Sequence, residues 1–214
     1  MSLDICEIFY SLQGESSFAG QPCVFIRLAG CNLACSYCDT RYAGKESFPL
    51  ALDAILRKVR RFACPLVEIT GGEPLLQKKT PDLIEQLLAQ GLQVLVETNG
   101  SQDIAPIPVE AVRILDVKCP SSGMAGSFLM TNLNHLTATD EVKFVIGNRT
   151  DYEFATTFIH THLTRITPER IHLAPVFSTI QPDILAQWML EDPVCARLSL
   201  QLHKIIWDPD QRGV

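Results

Sequence analysis

Two periods of apolar and polar residues alternate along the chain. Short, β-rich apolar runs recur at Val24–Leu28, Leu66–Thr70, Gln93–Glu97, Arg113–Val117, Val142–Ile146, Arg170–Ala174 and Leu198–Leu202. Near-continuous runs of this kind predict parallel strands covered on both faces. Between them lie stretches of helical period. Leu52, Ile55, Leu56 and Val59 form one apolar stripe. Thr80 is placed to cap a second helix, with Pro81 at its first position, Leu83, Ile84, Leu87 and Leu88 as its stripe and Gly91 as its stop. Thr150 and Glu153 have capping-box spacing ahead of Phe154 and Phe158. Pro182 precedes Ile184, Leu185, Trp188 and Met189. Ser121–Leu136 lacks such a pattern and reads as loop with at most a short helix.

Strand–helix alternation predicts a parallel sheet with right-handed crossovers. About six such units in 214 residues fall short of the roughly 250 residues typical of a closed eight-fold barrel. The expected fold is therefore α/β, a partial, open β/α barrel, with residues 1–214 as one domain. Chemistry in such folds gathers at the carboxyl ends of strands. The unusual residues fall there: Gly30-Cys31, Gly71-Gly72-Glu73, Thr98-Asn99, Lys118, Pro175 and His203-Lys204. His203 and Lys204 are expected to end the last strand, one pointing inward and the other away.

Composition changes the picture in three respects. Hydrophobic residues make up 47% and charged residues 20%, which marks a packed chain rather than a disordered one. A net charge of −6 argues against wide contact with a phosphate backbone, so no direct nucleic-acid partner is expected. The basic run Arg57–Arg61 reads as a solvated helix face. No run of about 18 apolar residues predicts a membrane span, and Met1–Ile5 lacks the basic region and apolar core of a secretory signal. The expected location is cytoplasmic, where the eight cysteines are thiols or metal ligands.

Three of those cysteines, Cys31, Cys35 and Cys38, form a C-x3-C-x2-C run. Thiolates are the natural ligands of iron–sulfur clusters, and short spacings let one loop wrap one cluster. Three local thiolates leave one corner of a cubane cluster open to a small molecule. A structural zinc site or an electron-transferring cluster with a distant fourth ligand are the alternatives. Zinc knuckles come as paired C-x2-C motifs, and no second pair exists here. Of the remaining cysteines, Cys119 follows a strand end and is expected to face the site; Cys6, Cys23, Cys64 and Cys195 read mostly as small buried residues.

The run followed by Asp39-Thr40, with aromatic Tyr37 before the third cysteine, resembles the signature of radical S-adenosylmethionine enzymes. So does Thr70-Gly71-Gly72-Glu73-Pro74 after the Leu66–Ile69 run, where glycines let the backbone approach a ligand. The resemblance implies a [4Fe–4S] cluster on Cys31, Cys35 and Cys38. It also implies S-adenosylmethionine contacts from Tyr37, Cys38, Asp39, Gly72, Asn99 and the stretch Lys118, Cys119 and Pro120. Lys143 is a further, more loosely held contact.

A narrower likeness lies in Glu7–Ser16, Phe25–Leu33, Glu97–Gly100 with Leu115–Gly123, and Gln201–Lys204. Together these are similar to the 7-carboxy-7-deazaguanine synthase family, across nearly the whole chain. That likeness implies ring contraction of 6-carboxy-5,6,7,8-tetrahydropterin, begun by hydrogen abstraction at C6 and completed with loss of ammonia, in queuosine-type biosynthesis. It implies substrate contacts from an N-terminal segment, Leu12, Gln13, Gly14 and Glu15, and from Arg27, Thr70, His203 and Lys204. It further implies Mg²⁺ on Thr40, a homodimer, and a flavodoxin or ferredoxin as electron donor. The residues agree with such a substrate: the planar fork of Arg27 suits a carboxylate. Some family members place a terminal carboxylate on the pterin, whereas here the chain runs on through Asp208–Val214. A glycyl-radical-enzyme activating enzyme, also a short open barrel, is the alternative activity. It would need a docking surface for a protein in place of a pterin pocket.

Overall fold

A computed structural model describes residues 2–214. Nine strands form one sheet in the order β3-β1-β2-β4-β5-β6-β7-β8-β9. Its main part is parallel: β2 (Pro22–Leu28), β4 (Leu66–Gly71), β5 (Gln93–Thr98), β6 (Val112–Asp116), β7 (Glu141–Ile146), β8 (Ile171–Pro175) and β9 (Arg197–Leu198) follow one another as neighbours. At one edge β1 (Ser2–Leu12) runs antiparallel to β2 and to β3 (Phe48–Ala51). The sheet is open, as expected, with six crossovers between its parallel strands.

All four predicted helices form, and the second and third start from other residues than the sequence suggests. α1 (Leu52–Arg60) buries Leu52, Ile55, Leu56 and Val59 and turns Arg57, Arg60 and Arg61 to solvent. α2 (Thr80–Leu88) begins at Thr80 rather than after it; the Thr80 hydroxyl donates to the Pro74 carbonyl at 2.6 Å instead of capping. α3 (Arg149–His162) is capped by Asn148, whose side chain accepts from the Asp151 amide, and Glu153 accepts from Arg149 rather than closing a capping box. α4 (Pro182–Glu191) has Pro182 in its first turn as predicted. The other two crossovers lack an α-helix. Between β5 and β6 the chain is irregular, and buried Asn132 satisfies it, donating to the Gly100 and Gln102 carbonyls and accepting from the Ile104 amide. Between β6 and β7 there are only 3-10 turns, at Pro120–Ser122 and Met130–His135.

The strands are not apolar on both faces. One face carries Val24, Ile26, Val67, Ile69, Val94, Val96, Leu115, Val142, Phe144 and Leu173 against the helices. The alternate positions carry Arg27, Glu68, Thr70, Glu97, Asp116 and Lys143, and these turn to the concave side. The concavity is therefore polar, with charges carried on strands that read as apolar runs.

The last strand ends early. β9 is two residues long, and His203–Ile206 form a short helix, α5. The strand expected over Leu198–Leu202 is mostly absent, so alternation does not separate His203 from Lys204. Instead the C-terminal stretch crosses the open edge of the sheet. The Leu202 amide donates to the Gly14 carbonyl at 2.9 Å. Lys204 Nζ lies 2.6 Å from Asp39 Oδ2, and Arg212 pairs with Glu46 at 3.0 Å. The two ends of the chain thus close the seam.

Outside the concavity, Arg113 and Asp140 form a fully buried ion pair that also fixes backbone. Asp140 accepts from the Arg113 amide at 2.9 Å, from Arg113 Nη2 at 2.5 Å and from the Thr137 amide at 2.7 Å. Removing one partner strands a buried charge. Asp140→Ala should lower unfolding free energy by about 3–5 kcal/mol in urea titrations; a loss under about 1 kcal/mol, the worth of an exposed pair, would contradict this role.

Candidate active site

The loop after β2 carries Cys31, Cys35 and Cys38, the first exposed and the others half-buried. It is held at several points. The Cys38 amide donates to the Cys35 carbonyl, and the Leu33 amide donates to Cys31 Sγ at 3.4 Å. Ser36 bonds to the carbonyls of Ser121 and Ser122 beyond β6. Asn32 joins Asn99 and Ser101 beyond β5. Among the described residues, no three His, Cys, Asp or Glu side chains converge as the ligands of a single metal ion would.

The Gly71-Gly72-Glu73-Pro74 turn lies directly against this loop. A Cβ on Gly72 would come within 2.2 Å of the Gly30 carbonyl and 2.6 Å of Cys31 Cβ, so only glycine fits. Glu73 is fully buried; its carboxylate accepts from the Leu75 and Asn99 amides and from the Thr98 hydroxyl, each at 2.8–3.0 Å. One acid thus locks the ends of β4 and β5 together. Two polar atoms nearby are buried without partners: the Tyr37 hydroxyl and Asp116 Oδ1. Burial pushes the Tyr37 hydroxyl far above its ordinary range, so it stays a donor. Asp116 Oδ2 is taken by Lys118 Nζ at 2.8 Å. A cofactor offering hydroxyl and amino groups fits these orphaned atoms.

Cys119 corrects the sequence reading. Its thiol is fully buried in the apolar core beside Val117 and Phe144, and burial pushes it well up.

Opposite the cysteine loop, residues 13–21 connect β1 to β2 and turn into the concavity from the other end of the strands. Gln13 Nε2 donates to Glu68, and Gln13 Oε1 accepts from the Glu15 amide at 3.1 Å. Glu15 Oε2 lies 2.7 Å from Lys143 Nζ, and Glu15 Oε1 accepts from Gln201 at 2.8 Å. Lys143 also meets Glu97, and Asp116 at 3.6 Å. Burial works to raise the Glu15 carboxyl, but the Lys143 ammonium and the bonds from Lys143 and Gln201 hold it down at about 2. Burial, reinforced by the neighbouring Glu97, pushes Glu68 well up. Gly14 lies so close to His203 that a Cβ would sit 2.3 Å from its Nδ1, and burial holds His203 below its ordinary value.

Arg27 stands near the end of β2, the strand that runs from the 13–21 loop to the cysteine loop. Its Nε donates to Glu7 Oε1 at 2.7 Å. Among the described residues, its two terminal nitrogens have no partner. The Thr70 side chain is likewise free of hydrogen bonds on the same face, and Thr40 Oγ1 has only Cys38 Sγ at 3.8 Å. Thr40 precedes the 3-10 turn Arg41–Gly44 without capping it, so its hydroxyl is free for a ligand.

The model of the Radical SAM superfamily matches residues 25–161. The 7-carboxy-7-deazaguanine synthase of Koribacter versatilis is 45% identical over 99% of this chain and 100% of its own length. The chain belongs to the 7-carboxy-7-deazaguanine synthase family. The Chlorobaculum tepidum 7-carboxy-7-deazaguanine synthase is 44% identical over 99% of this chain and 97% of its own. The crystal structure of QueE from Escherichia coli superposes with a TM-score of 0.78 at 26% identity, covering 95% of both chains. Streptococcus suis SuiB shares the fold alone, at 11% identity and a TM-score of 0.57 over 80% of this chain.

Sequence reasoning missed Glu7, Glu68, Glu97, Asp116 and Gln201 as parts of this synthase-family site. Four of them sit inside motifs quoted for other residues. Glu68 had its own signal, an acid isolated in an apolar strand.

The Glu15 carboxyl ionises well below its ordinary value near 4.3. It therefore stabilises the fold above about pH 4, and that contribution vanishes as pH falls toward 2. The stability difference between wild type and Glu15→Gln should be largest at neutral pH and close between about pH 4 and 2 in pH-dependent urea unfolding. A difference independent of pH would contradict the Lys143 pairing.

Proposed function

We propose that this chain converts 6-carboxy-5,6,7,8-tetrahydropterin to 7-carboxy-7-deazaguanine with loss of ammonia, as a carbon–nitrogen lyase of queuosine and 7-deazapurine biosynthesis. The observation that carries the reading is Arg27, a guanidinium with two unpartnered terminal nitrogens on the concave face of the strand that joins the 13–21 loop to the cysteine loop. A bicyclic acid held there would meet a planar cation for its carboxylate on one side and amide and acid groups for its ring edge on the other.

The cluster with S-adenosylmethionine would supply the one-electron chemistry that takes a hydrogen atom from the substrate. Cys31, Cys35 and Cys38 would hold the cluster. Tyr37, Cys38, Asp39, Gly72, Asn99 and the Lys118–Pro120 backbone would hold the sulfonium cofactor, filling the orphaned atoms. Leu12, Gln13, Gly14, Glu15, Arg27, Thr70 and His203 would bind the pterin. Gln13 is oriented for this by Glu68, and Glu15 is kept ionised by Lys143. Lys204 would act through Asp39, which it already pairs. The free hydroxyl of Thr40 would supply one Mg²⁺ ligand, the others coming from substrate and water. The N-terminal segment and the C-terminal stretch would serve one domain as floor and side wall. The protein would work in the cytoplasm as a homodimer, reduced by a flavodoxin or ferredoxin. No described helix is long and apolar enough to cross a membrane.

The test is an anaerobic assay of cluster-reconstituted protein with reductant, S-adenosylmethionine, Mg²⁺ and the carboxytetrahydropterin. The expected products are 5′-deoxyadenosine and 7-carboxy-7-deazaguanine together. Replacing any one of the three cysteines by alanine should abolish both. Arg27→Lys, which loses the bidentate fork, should raise KM for the pterin by about tenfold or more. 5′-Deoxyadenosine without the deazapurine would reject this substrate.

A further inference from the structure

β1 contains an irregularity that decides where Glu7 points. Its first part alternates in order, with Leu3 and Ile5 buried. The pairing with β2 then shifts register between Ile5 and Glu7. A bulge adds one residue and reverses the alternation beyond it. Glu7 and Phe9 consequently stand on the same side as their cross-strand partners Arg27 and Phe25. Phe9 stacks on Phe25 at 4.9 Å, and the Arg27 guanidinium lies 5.8 Å from the Phe9 ring. Without the bulge Glu7 would face the helices.

Glu7 Oε1 receives two donors, Arg27 Nε at 2.7 Å and the Tyr42 hydroxyl at 2.8 Å. Tyr42 belongs to the 3-10 turn that follows the cysteine loop. The far side of the Tyr42 ring is covered by Arg212, whose guanidinium carbon lies 3.7 Å from the ring centre.

We propose that Glu7 is a positioning residue that fixes which edge of Arg27 a substrate carboxylate can use. An arginine offers a carboxylate either its Nε side or its two terminal nitrogens. Glu7 occupies Nε, so only the end-on pair remains. Tyr42 registers that geometry to the loop that carries the cysteines, which fixes the substrate relative to the reacting centre. A displacement of an ångström at such a centre costs about a hundredfold in rate. This inference rests on the reading that the site takes a carboxylated pterin.

Glu7 also offsets the charge of Arg27. Its removal should therefore leave carboxylate affinity intact while loosening orientation. The experiment compares wild type, Glu7→Gln, Tyr42→Phe and Arg27→Lys as cluster-loaded enzymes. Two quantities are read: the pterin Kd on the unreduced protein, and the ratio of 5′-deoxyadenosine to deazapurine during turnover. Glu7→Gln should keep Kd within about threefold, lower kcat about tenfold and push the ratio above the wild-type value. Tyr42→Phe should do the same more weakly, and it decides the matter if Glu7→Gln fails to hold a cluster. Arg27→Lys should weaken Kd instead. A wild-type ratio and kcat in both variants would overturn the proposal, as would a Kd loss matching that of Arg27→Lys. Wild type that turns over with unaffected variants rejects Glu7 alone; wild type that makes no deazapurine rejects the substrate reading, and the Glu7 proposal falls with it.

Discussion

One buried ammonium organises the concave side of this barrel. Lys143 is nearly inaccessible, and it meets Glu15 from the β1–β2 loop, Glu97 from β5 and Asp116 from β6. An isolated ammonium in that position would lose most of its solvation free energy, so the three carboxylates are a condition of its burial. The dependence runs both ways. Asp116 leads on to Lys118 beside the cysteine loop, and Glu15 leads on to Gln13, Gly14 and Gln201. The cysteine-loop end and the β1–β2-loop end of the concavity are therefore tied to the same charge. Lys143 is held strongly protonated by these acids against the effect of its burial.

An open sheet would leave this polar interior exposed along one side. The chain solves that with its own ends. β1 and its following loop form one margin, and the Gln201–Lys204 stretch reaches across from the other to Gly14, Glu15 and Asp39. A site closed in this way suits a small polar molecule that can be surrounded. An activating enzyme for a protein partner would need that same seam for an incoming loop, and the family relationship also speaks for the small-molecule reaction.

Much of this was legible from residue order. The parallel strands from Val24 to Ala174 and the helical stripes reported themselves through periodicity, because their apolar faces pack against helices. The cysteine loop and the Gly71–Pro74 turn were legible because cluster binding and close backbone approach demand particular residues at particular spacings. The missing parts have physical reasons. β1 escaped notice because its bulge breaks the two-residue period midway. β3 has only four residues, mostly exposed. α5 replaced an expected strand because Leu202 is anchored through its amide to Gly14, a contact between residues far apart in sequence. Cys119 stood at a strand end, where a site residue is expected, yet packs its thiol into the core. Glu68 and Glu97 read as occasional charges in apolar runs, and Lys143 as a contact of the sulfonium cofactor; only their convergence in space joins them into one group.

In the proposed reaction the carboxylate-bearing carbon of the pterin lies against the cofactor, with Arg27 and the Gln13–Glu15 loop holding the substrate. The most direct measurement uses 6-carboxytetrahydropterin carrying deuterium at C6, turned over anaerobically with unlabelled S-adenosylmethionine, and mass analysis of the 5′-deoxyadenosine formed. The account predicts 5′-deoxyadenosine that has gained deuterium, alongside the ring-contracted product. Unlabelled 5′-deoxyadenosine accompanying that product would contradict it, because hydrogen would then be leaving a different position from the one this site presents.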